Sequence, residues 1–345
     1  MPSYIKMKLQ KLTCGFRGSE PMVCCVDSTN RVGAPDNFNQ GSTGDNIDDA
    51  FTRRYDDDNI ATPRDVLKHP NLSLLPTVCG NIEEDKIFGG QETRLFEMPW
   101  MVLLSYLSPR GVKLSCGGTL INEWYVLTAA HCVTNLGKLK LQEVVLGEHN
   151  IKTDPDCETN DGMETCAPNS KNVGISDVIP HPGYTPSSLV DDIALIRLSQ
   201  PADFTLPSMA PICLPLTPSL QRENLVDKYG VAAGWGLTEE GPQAPVLRSV
   251  DLPIINKTAC QAAFNESPRI HDQQICAGAI KGKDSCGGDS GGPLSYPGVL
   301  GQRGAQYVQR GIVSYGPKRC GIGGLPGVYT NVAYYMNWIL DNMRR

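Results

Sequence analysis

Long apolar runs are missing from this chain of 345 residues. No stretch approaches the ~20 consecutive apolar residues that a membrane-crossing helix needs. Residues 1–12 carry three lysines and no apolar centre, so a secretory leader is not visible there. An excess of positive charge is missing too: 31 Lys and Arg stand against 37 Asp and Glu, a formal net charge of −6. That balance speaks against nucleic acid as a partner. Histidine is scarce, with five residues at 69, 131, 149, 181 and 271, and no cysteine pair has CxxC spacing. A zinc site therefore has no suitably spaced ligand set. Residues 28–78 contain no cysteine at all.

Elsewhere cysteine is abundant. Thirteen are too many for a reducing compartment without a metal or redox motif to hold them. A disulfide framework in an oxidising, extracellular setting is the expectation. Composition divides the chain into three zones. Residues 1–27 hold Cys14, Cys24 and Cys25; residues 28–78 are rich in Asn, Asp, Gly, Ser and Pro and read as a mobile linker. From Ile87 onward, short apolar runs alternate with Gly and Pro, as at 100–106, 126–130, 193–198, 231–235 and 311–315. That spacing predicts an all-β barrel or sandwich. Near the end, Tyr335, Met336, Ile339 and Leu340 recur at helical spacing, which predicts a terminal amphipathic helix over 332–343.

Three motifs carry chemistry. Thr128-Ala-Ala-His131-Cys132 offers a base, Asp192-Ile-Ala-Leu195 a carboxylate, and Asp284-Ser-Cys-Gly-Gly-Asp289-Ser290-Gly-Gly-Pro293 a nucleophile in a glycine-rich turn. A serine hydroxyl attacks a carbonyl only when a base takes its proton. Ser290 is the candidate nucleophile, His131 its base, and Asp192 the group that fixes the imidazole tautomer. The backbone N–H groups of Gly288 and Ser290 are the candidate oxyanion hole. Glycine at 288 allows the tight turn that exposes both amides. The chain order His, Asp, Ser matches chymotrypsin-class enzymes and not subtilisins or α/β-hydrolases.

On these motifs residues 87–345 resemble the trypsin/chymotrypsin family over its full length. The resemblance implies two six-stranded antiparallel β-barrels with the active site between them. It implies that Asp284, six residues before Ser290, lies at the base of the primary pocket and selects Arg or Lys in the substrate. Ser314, Gly316 and Gly327 match the pocket walls, where the two glycines leave room for a long side chain. Tyr315 stands where the family usually has Trp, and Pro326 matches members without sodium-dependent activity.

Lys86-Ile87-Phe88-Gly89-Gly90 resembles the family's activation site, at the junction of an activation segment over 79–86 and the domain beginning at Ile87. The resemblance implies a zymogen: cleavage after Lys86 frees the Ile87 amine, which pairs with Asp289 and orders the oxyanion loop. Phe88 replaces the commoner Val or Ile. Glu83, Glu84 and Asp85 imply an upstream activating protease that tolerates acids. The family's pairing implies Cys116–Cys132, Cys260–Cys276, Cys286–Cys320 and a tether Cys79–Cys213, with Cys157–Cys166 as a local pair inside an insertion after Glu148.

Residues 1–27, with Cys14 and then adjacent Cys24 and Cys25, resemble the second half of an arthropod clip domain, a module of six cysteines. Three partners and a leader are therefore expected upstream of Met1. Clip, linker and protease domain together resemble clip-domain serine proteases of haemolymph cascades in melanisation or Toll activation. That resemblance implies a secreted zymogen, a proprotein substrate cut after Arg or Lys, a serpin inhibitor, and neither nucleic acid nor membrane as partner. The segment from Gly147 to Cys157 resembles the family's calcium loop. Glu148, Asn150 and Asp156 are the candidate side-chain ligands for Ca²⁺, with the Thr153 carbonyl, and Asp154 competes. No organic cofactor is expected. Sequons at Asn71, Asn256 and Asn265 are candidate glycan sites. A non-catalytic homologue acting as a cascade cofactor is the alternative, set against the intact Ser290, His131 and Asp192. A digestive trypsin fits the clip remnant and tethering cysteine poorly.

Overall fold

The computed structural model describes residues 13–17, 20–23, 66–82, 91–237, 243–281, 288–301, 304–317, 321 and 323–345. The chain forms two compact units, Met1–Ile60 and Ala61–Arg345. Within the first, the strands Thr13–Arg17 and Glu20–Val23 pair as an antiparallel hairpin.

The second unit is two barrels. In the first, β1 (Met101–Ser108), β2 (Gly111–Leu120), β3 (Tyr125–Thr128), β4 (Lys140–Leu146), β5 (Lys171–Pro180) and β6 (Ala194–Leu198) close in the order β5-β6-β3-β2-β1-β4. In the other, β7 (Tyr229–Gly234), β8 (Arg248–Ile255), β9 (Gln274–Gly278), β10 (Pro293–Val299), β11 (Ala305–Tyr315) and β12 (Pro326–Asn331) run β7-β10-β11-β12-β9-β8. Pairing of β7 with β8 closes that ring, and the short strand Gln91–Glu92 adds to β8. All pairings among these strands are antiparallel. Closure pairs both edges of each six-stranded ring, so its strands present no row of unpaired backbone groups along the ring.

The runs at 101–106, 125–128 and 306–314 are buried without alternation. A strand half-exposed to water would alternate. Here the outer faces of these strands are covered as well, so one hydrophobic cluster collects Leu103, Leu127 and Ile196 of the first barrel with Val231 and Ile312 of the second and Ile339 of the terminal helix. A second cluster around Leu252, Leu294 and Tyr329 fills the second barrel. Each fully buried Leu or Ile contributes about 1.5–3 kcal/mol.

Among the described residues the α-helices are α1 (Pro218–Gln221), α2 (Lys257–Ala263) and α3 (Met336–Asp341), the last entered through a 3-10 turn Val332–Tyr335. The expected amphipathic face is the buried one, with Tyr335, Met336, Ile339 and Leu340 inside. Asn256 caps α2 by accepting the Ala259 N–H (2.7 Å).

One boundary is corrected. The linker expected over 28–78 is folded at its C-terminal end. Val66–Lys68 and Pro70–Leu74 form 3-10 turns, and Val66 and Leu75 enter the main core. Composition missed this because the burial involves two apolar side chains docked on distant strands and a helix, not a local periodicity.

Candidate active site

His131 lies on the 3-10 turn Ala130–Cys132 directly after β3, and Cys116–Cys132 (S–S 2.10 Å) binds that turn to β2. Its main-chain N–H donates to Asp192 Oδ1 (2.9 Å), and its Nδ1 stands 2.7 Å from Oδ2. With Asp192 ionised, Nδ1 carries the proton and Nε2 is left as the base. Asp192, at the entry to β6, is 0% exposed. Ser314 Oγ donates to its Oδ2 (2.5 Å), and Thr330 Oγ1 donates to its carbonyl (2.7 Å). Three donors on one carboxylate hold a buried charge that burial alone would disfavour. Ser314 was expected as a pocket wall; in the fold its hydroxyl supports Asp192. Nothing local in the sequence signals that contact, because 122 positions separate the two residues. Thr330 was not anticipated, for the same reason.

Ser290 sits between β9 and β10 on a loop pinned at several points. Its carbonyl accepts the Gly117 N–H (2.7 Å), the Gly291 N–H donates to Val313 O (2.8 Å) and the Gly292 N–H to Asp289 O (2.9 Å). A Cβ on Gly291 would lie 2.3 Å from Thr128 Oγ1 and 3.3 Å from the Ala129 nitrogen. Only glycine permits that approach, which seats the nucleophile loop against the residues leading into His131. Gly288 has φ +107°, a conformation that side chains strongly disfavour. Asp289 accepts the Gly236 N–H at 2.8 Å.

Of the expected pocket, Gly316 and Gly327 lie side by side: a Cβ on Gly316 would stand 3.5 Å from Gly327 Cα. Asp284 at the expected base, the activation residues Lys86 and Ile87, and the pair Cys286–Cys320 fall outside the described residues. The other four expected bridges are formed: Cys79–Cys213, Cys116–Cys132, Cys157–Cys166 and Cys260–Cys276. Cys116, His131 and Cys132 cluster closely, as do Cys157, Glu164 and Cys166. Their sulfurs are committed to disulfides, so neither cluster offers thiolates to a metal.

The loop after β4 tests the calcium expectation. Asp156, 6% exposed, takes the His149 and Asn150 N–H groups on Oδ2 (3.0 and 2.8 Å) and the Thr153 hydroxyl on Oδ1 (2.6 Å). It ties the loop together and keeps little acceptor capacity for an ion. Asn150 Oδ1 accepts the Lys152 N–H (3.2 Å), and Asp154 Oδ1 the Ser170 N–H (3.0 Å). Glu148 differs: its Oε1 is buried with no partner. Burial first, and then the charge of Asp156, pushes its carboxyl up to about 7. An unpartnered oxygen of this kind fits a hard cation, while the His149 N–H and the Ser170 side chain already bond this carboxylate.

The sequons separate as well. Asn71 Nδ2 donates to Leu340 O (2.9 Å) and Met343 O (3.1 Å), so the nitrogen a glycan would occupy is taken up by the fold. Asn256 and Asn265 are exposed.

A family profile described as Trypsin matches residues 87–339. The chain is 41% identical to the Spaetzle-processing enzyme of Drosophila melanogaster over 299 residues, covering 83% of this chain and 74% of that one. It is 36% identical to Serine protease ea of the same species, covering 98% of this chain and 82% of the other. CLIP domain-containing serine protease HP8 of Bombyx mori is 41% identical over 79% of this chain and 74% of its own length. Among solved structures, the Drosophila Grass clip serine protease of the Toll pathway aligns with a TM-score of 0.72 and 34% identity, over 99% of this chain and 87% of that chain.

Proposed function

The chain belongs to the trypsin family, and from that premise we propose that it is the zymogen of a secreted serine endopeptidase that cuts a proprotein after Arg or Lys in an arthropod haemolymph cascade, of melanisation or Toll activation. The observation that carries this reading is the buried Asp192 carboxylate, bonded to both nitrogen positions of His131 that face it and backed by Ser314. That arrangement prepares a neutral imidazole whose free nitrogen takes a proton.

Ser290 Oγ attacks the scissile carbonyl carbon while its proton passes to His131 Nε2. The Gly288 and Ser290 N–H groups hold the oxyanion; one such donor is worth about 10²–10³ in rate. The imidazolium, stabilised by Asp192, gives the proton to the leaving amine as the C–N bond breaks. Water then repeats the sequence on the acyl-enzyme, and Ser290 recovers its proton. Asp284 pairs with the substrate cation. Cleavage after Lys86 by an upstream protease frees the Ile87 amine for Asp289, and a serpin ends the activity. Ca²⁺ would be held through Glu148 Oε1 and the Thr153 carbonyl, and would brace the loop over 148–156.

The test uses the full chain, before and after limited cleavage at Lys86, on matched peptide substrates ending in Arg, Lys or Phe. Arg and Lys hydrolysis appears only after cleavage and disappears in Ser290→Ala. Asp192→Asn keeps the fold and lowers kcat about 10⁴-fold. A confirmed Ile87 terminus with no hydrolysis of any substrate replaces this reading with a non-catalytic cofactor role.

A further inference from the structure

Asp192 is the middle residue of a three-residue turn, in which the Asp191 carbonyl accepts the Ile193 N–H (2.8 Å). Where its carboxylate points therefore depends on both neighbours. Ile193 is buried, and its carbonyl accepts the His181 N–H (2.9 Å). On the other side, Asp191 has φ +56°, the left-handed conformation that a residue with a side chain adopts only at a cost. Such a conformation persists where the surroundings hold it, and it gathers at functional sites.

The contact that holds it comes from near the end of the chain. The Tyr335 hydroxyl donates to Asp191 Oδ1 (2.5 Å) across 144 positions. Tyr335 is buried in the 3-10 turn Val332–Tyr335 that follows β12. Burial first, and then the bond to Asp191, makes its hydroxyl harder to ionise, so it stays a donor. Its ring meets those of His181 (5.2 Å between centroids) and Tyr334 (5.1 Å) edge-on. The far side of the Asp191 carboxylate is closely fitted as well. A Cβ on Gly183 would stand 2.4 Å from Oδ2, so any other residue there pushes the carboxylate away. His181 Nδ1 accepts the Gly183 N–H (3.1 Å) and lies 3.7 Å from Asp191 Oδ2, beyond hydrogen-bond reach. Burial draws His181 below its ordinary value, against the charge of Asp191. Among the described residues, the hydrogen-bond donor to the Asp191 side chain is Tyr335.

We propose that Tyr335 and Asp191 are positioning residues for the catalytic carboxylate: the Tyr335 hydroxyl holds Asp191 in its left-handed turn, and that turn aims Asp192 at His131. Thr330 on the Asp192 carbonyl and Ser314 on its carboxylate are the other two anchors. All three reach this loop of the first barrel from residues beyond 313. The inference rests on the protease reading proposed above. Both residues act through Asp192, so their loss falls on proton transfer, hence on kcat, and leaves KM in place.

The test measures hydrolysis of an Arg peptide by the full chain cut at Lys86, at a temperature where every variant is folded. Tyr335→Phe keeps the ring and removes the hydroxyl; kcat falls about tenfold with KM unchanged. Asp191→Asn offers an amide oxygen to the same hydroxyl and tolerates the left-handed conformation, so its kcat stays within about threefold. Asp191→Ala is at least as slow as Tyr335→Phe, and combining the two costs nothing further, because they act through one bond. Unchanged kcat in Tyr335→Phe, a change in KM alone, an Asp191→Asn as slow as Asp191→Ala, or additive losses in the double variant overturns the proposal. Should Tyr335→Phe fail to fold, Gly183→Ala, which displaces the Asp191 carboxylate, must lower kcat in its place. A second readout needs no hydrolysis: the far-downfield proton resonance of the His131 Nδ1–H bond to Asp192. It persists in the natural chain and in Asp191→Asn and is lost in Tyr335→Phe; its survival in Tyr335→Phe overturns the proposal. A chain with this pattern of resonances that hydrolyses nothing removes the protease reading and leaves the positioning role standing.

Discussion

Glu148 is the side chain whose surroundings least suit its charge. Burial and Asp156 raise its carboxyl from an ordinary 4.5 to about 7 in the folded chain. Below the unfolded value both states are protonated and the group costs nothing. As pH rises from about 4.5 towards 7, the unfolded chain releases this proton into water while the folded chain still binds it, so stability is lost across that window and levels off above about 7. In chelator, we expect the melting temperature to fall between pH 4.5 and 7.5 by more in the natural chain than in Glu148→Gln. Discounted for partial exposure, the difference is on the order of 1–2 kcal/mol. Ca²⁺ at pH 7.5 should restore the loss in the natural chain and leave Glu148→Gln unchanged. Equal calcium responses in both would remove Glu148 from the ligand set. Asp192 shows the opposite arrangement, a buried carboxylate surrounded by donors.

Among the elements, the 3-10 segment Pro70–Leu74 and α3 behave as one piece. Asn71 Nδ2 bonds two carbonyls at the end of α3, His69 Nε2 lies 2.9 Å from Asp341 Oδ1, and Asn122 Nδ2 reaches Leu74 O (2.9 Å). Carbonyls at a helix C-terminus have no partners within the helix, so these bonds cap it from outside. Asn71→Ala therefore costs about 1–3 kcal/mol and lowers the thermal midpoint, with hydrolysis by the activated enzyme unchanged at a temperature where the variant is folded. An unchanged midpoint would show that water caps α3 equally well. The terminal helix was legible from its four apolar positions. Its cap was not, because Asn71 has the composition of a linker and its partners lie some 270 positions away.

On the scale of the molecule, one long covalent loop ties the segment before the first barrel to the connection between the two barrels. Cys79 and Cys213 are 134 positions apart, and around them Gly80 N–H meets Pro211 O (2.8 Å), Tyr307 N–H meets Gly80 O (2.7 Å), and Gln306 Nε2 meets Cys79 O (3.0 Å). Closing so long a loop stabilises by up to about 5 kcal/mol in the chain-entropy account. Cleavage at Lys86–Ile87 leaves Cys79 on one fragment and Cys213 on the other. The cut chain should migrate as one species without reductant and as two with it. Cys79→Ser with Cys213→Ser should release the N-terminal fragment under denaturing conditions without reductant.

The order of the chemistry-bearing motifs, the all-β strand pattern and the buried face of the last helix were legible in the sequence, and the four bridges now seen formed followed from the family resemblance. The first three are local, as periodicity and glycine-rich turns are, whereas cysteine pairing is not local and came with the family. Only the folded chain shows that Ser314 and Thr330 hold Asp192, that Gly117 and Thr128 seat the Ser290 loop, and that Val66 and Asn71 belong to the folded unit. These contacts join residues far apart in the chain through common hydroxyl, amide and glycine groups. Such groups become specific only when packing fixes their distances, and no spacing within one segment encodes that.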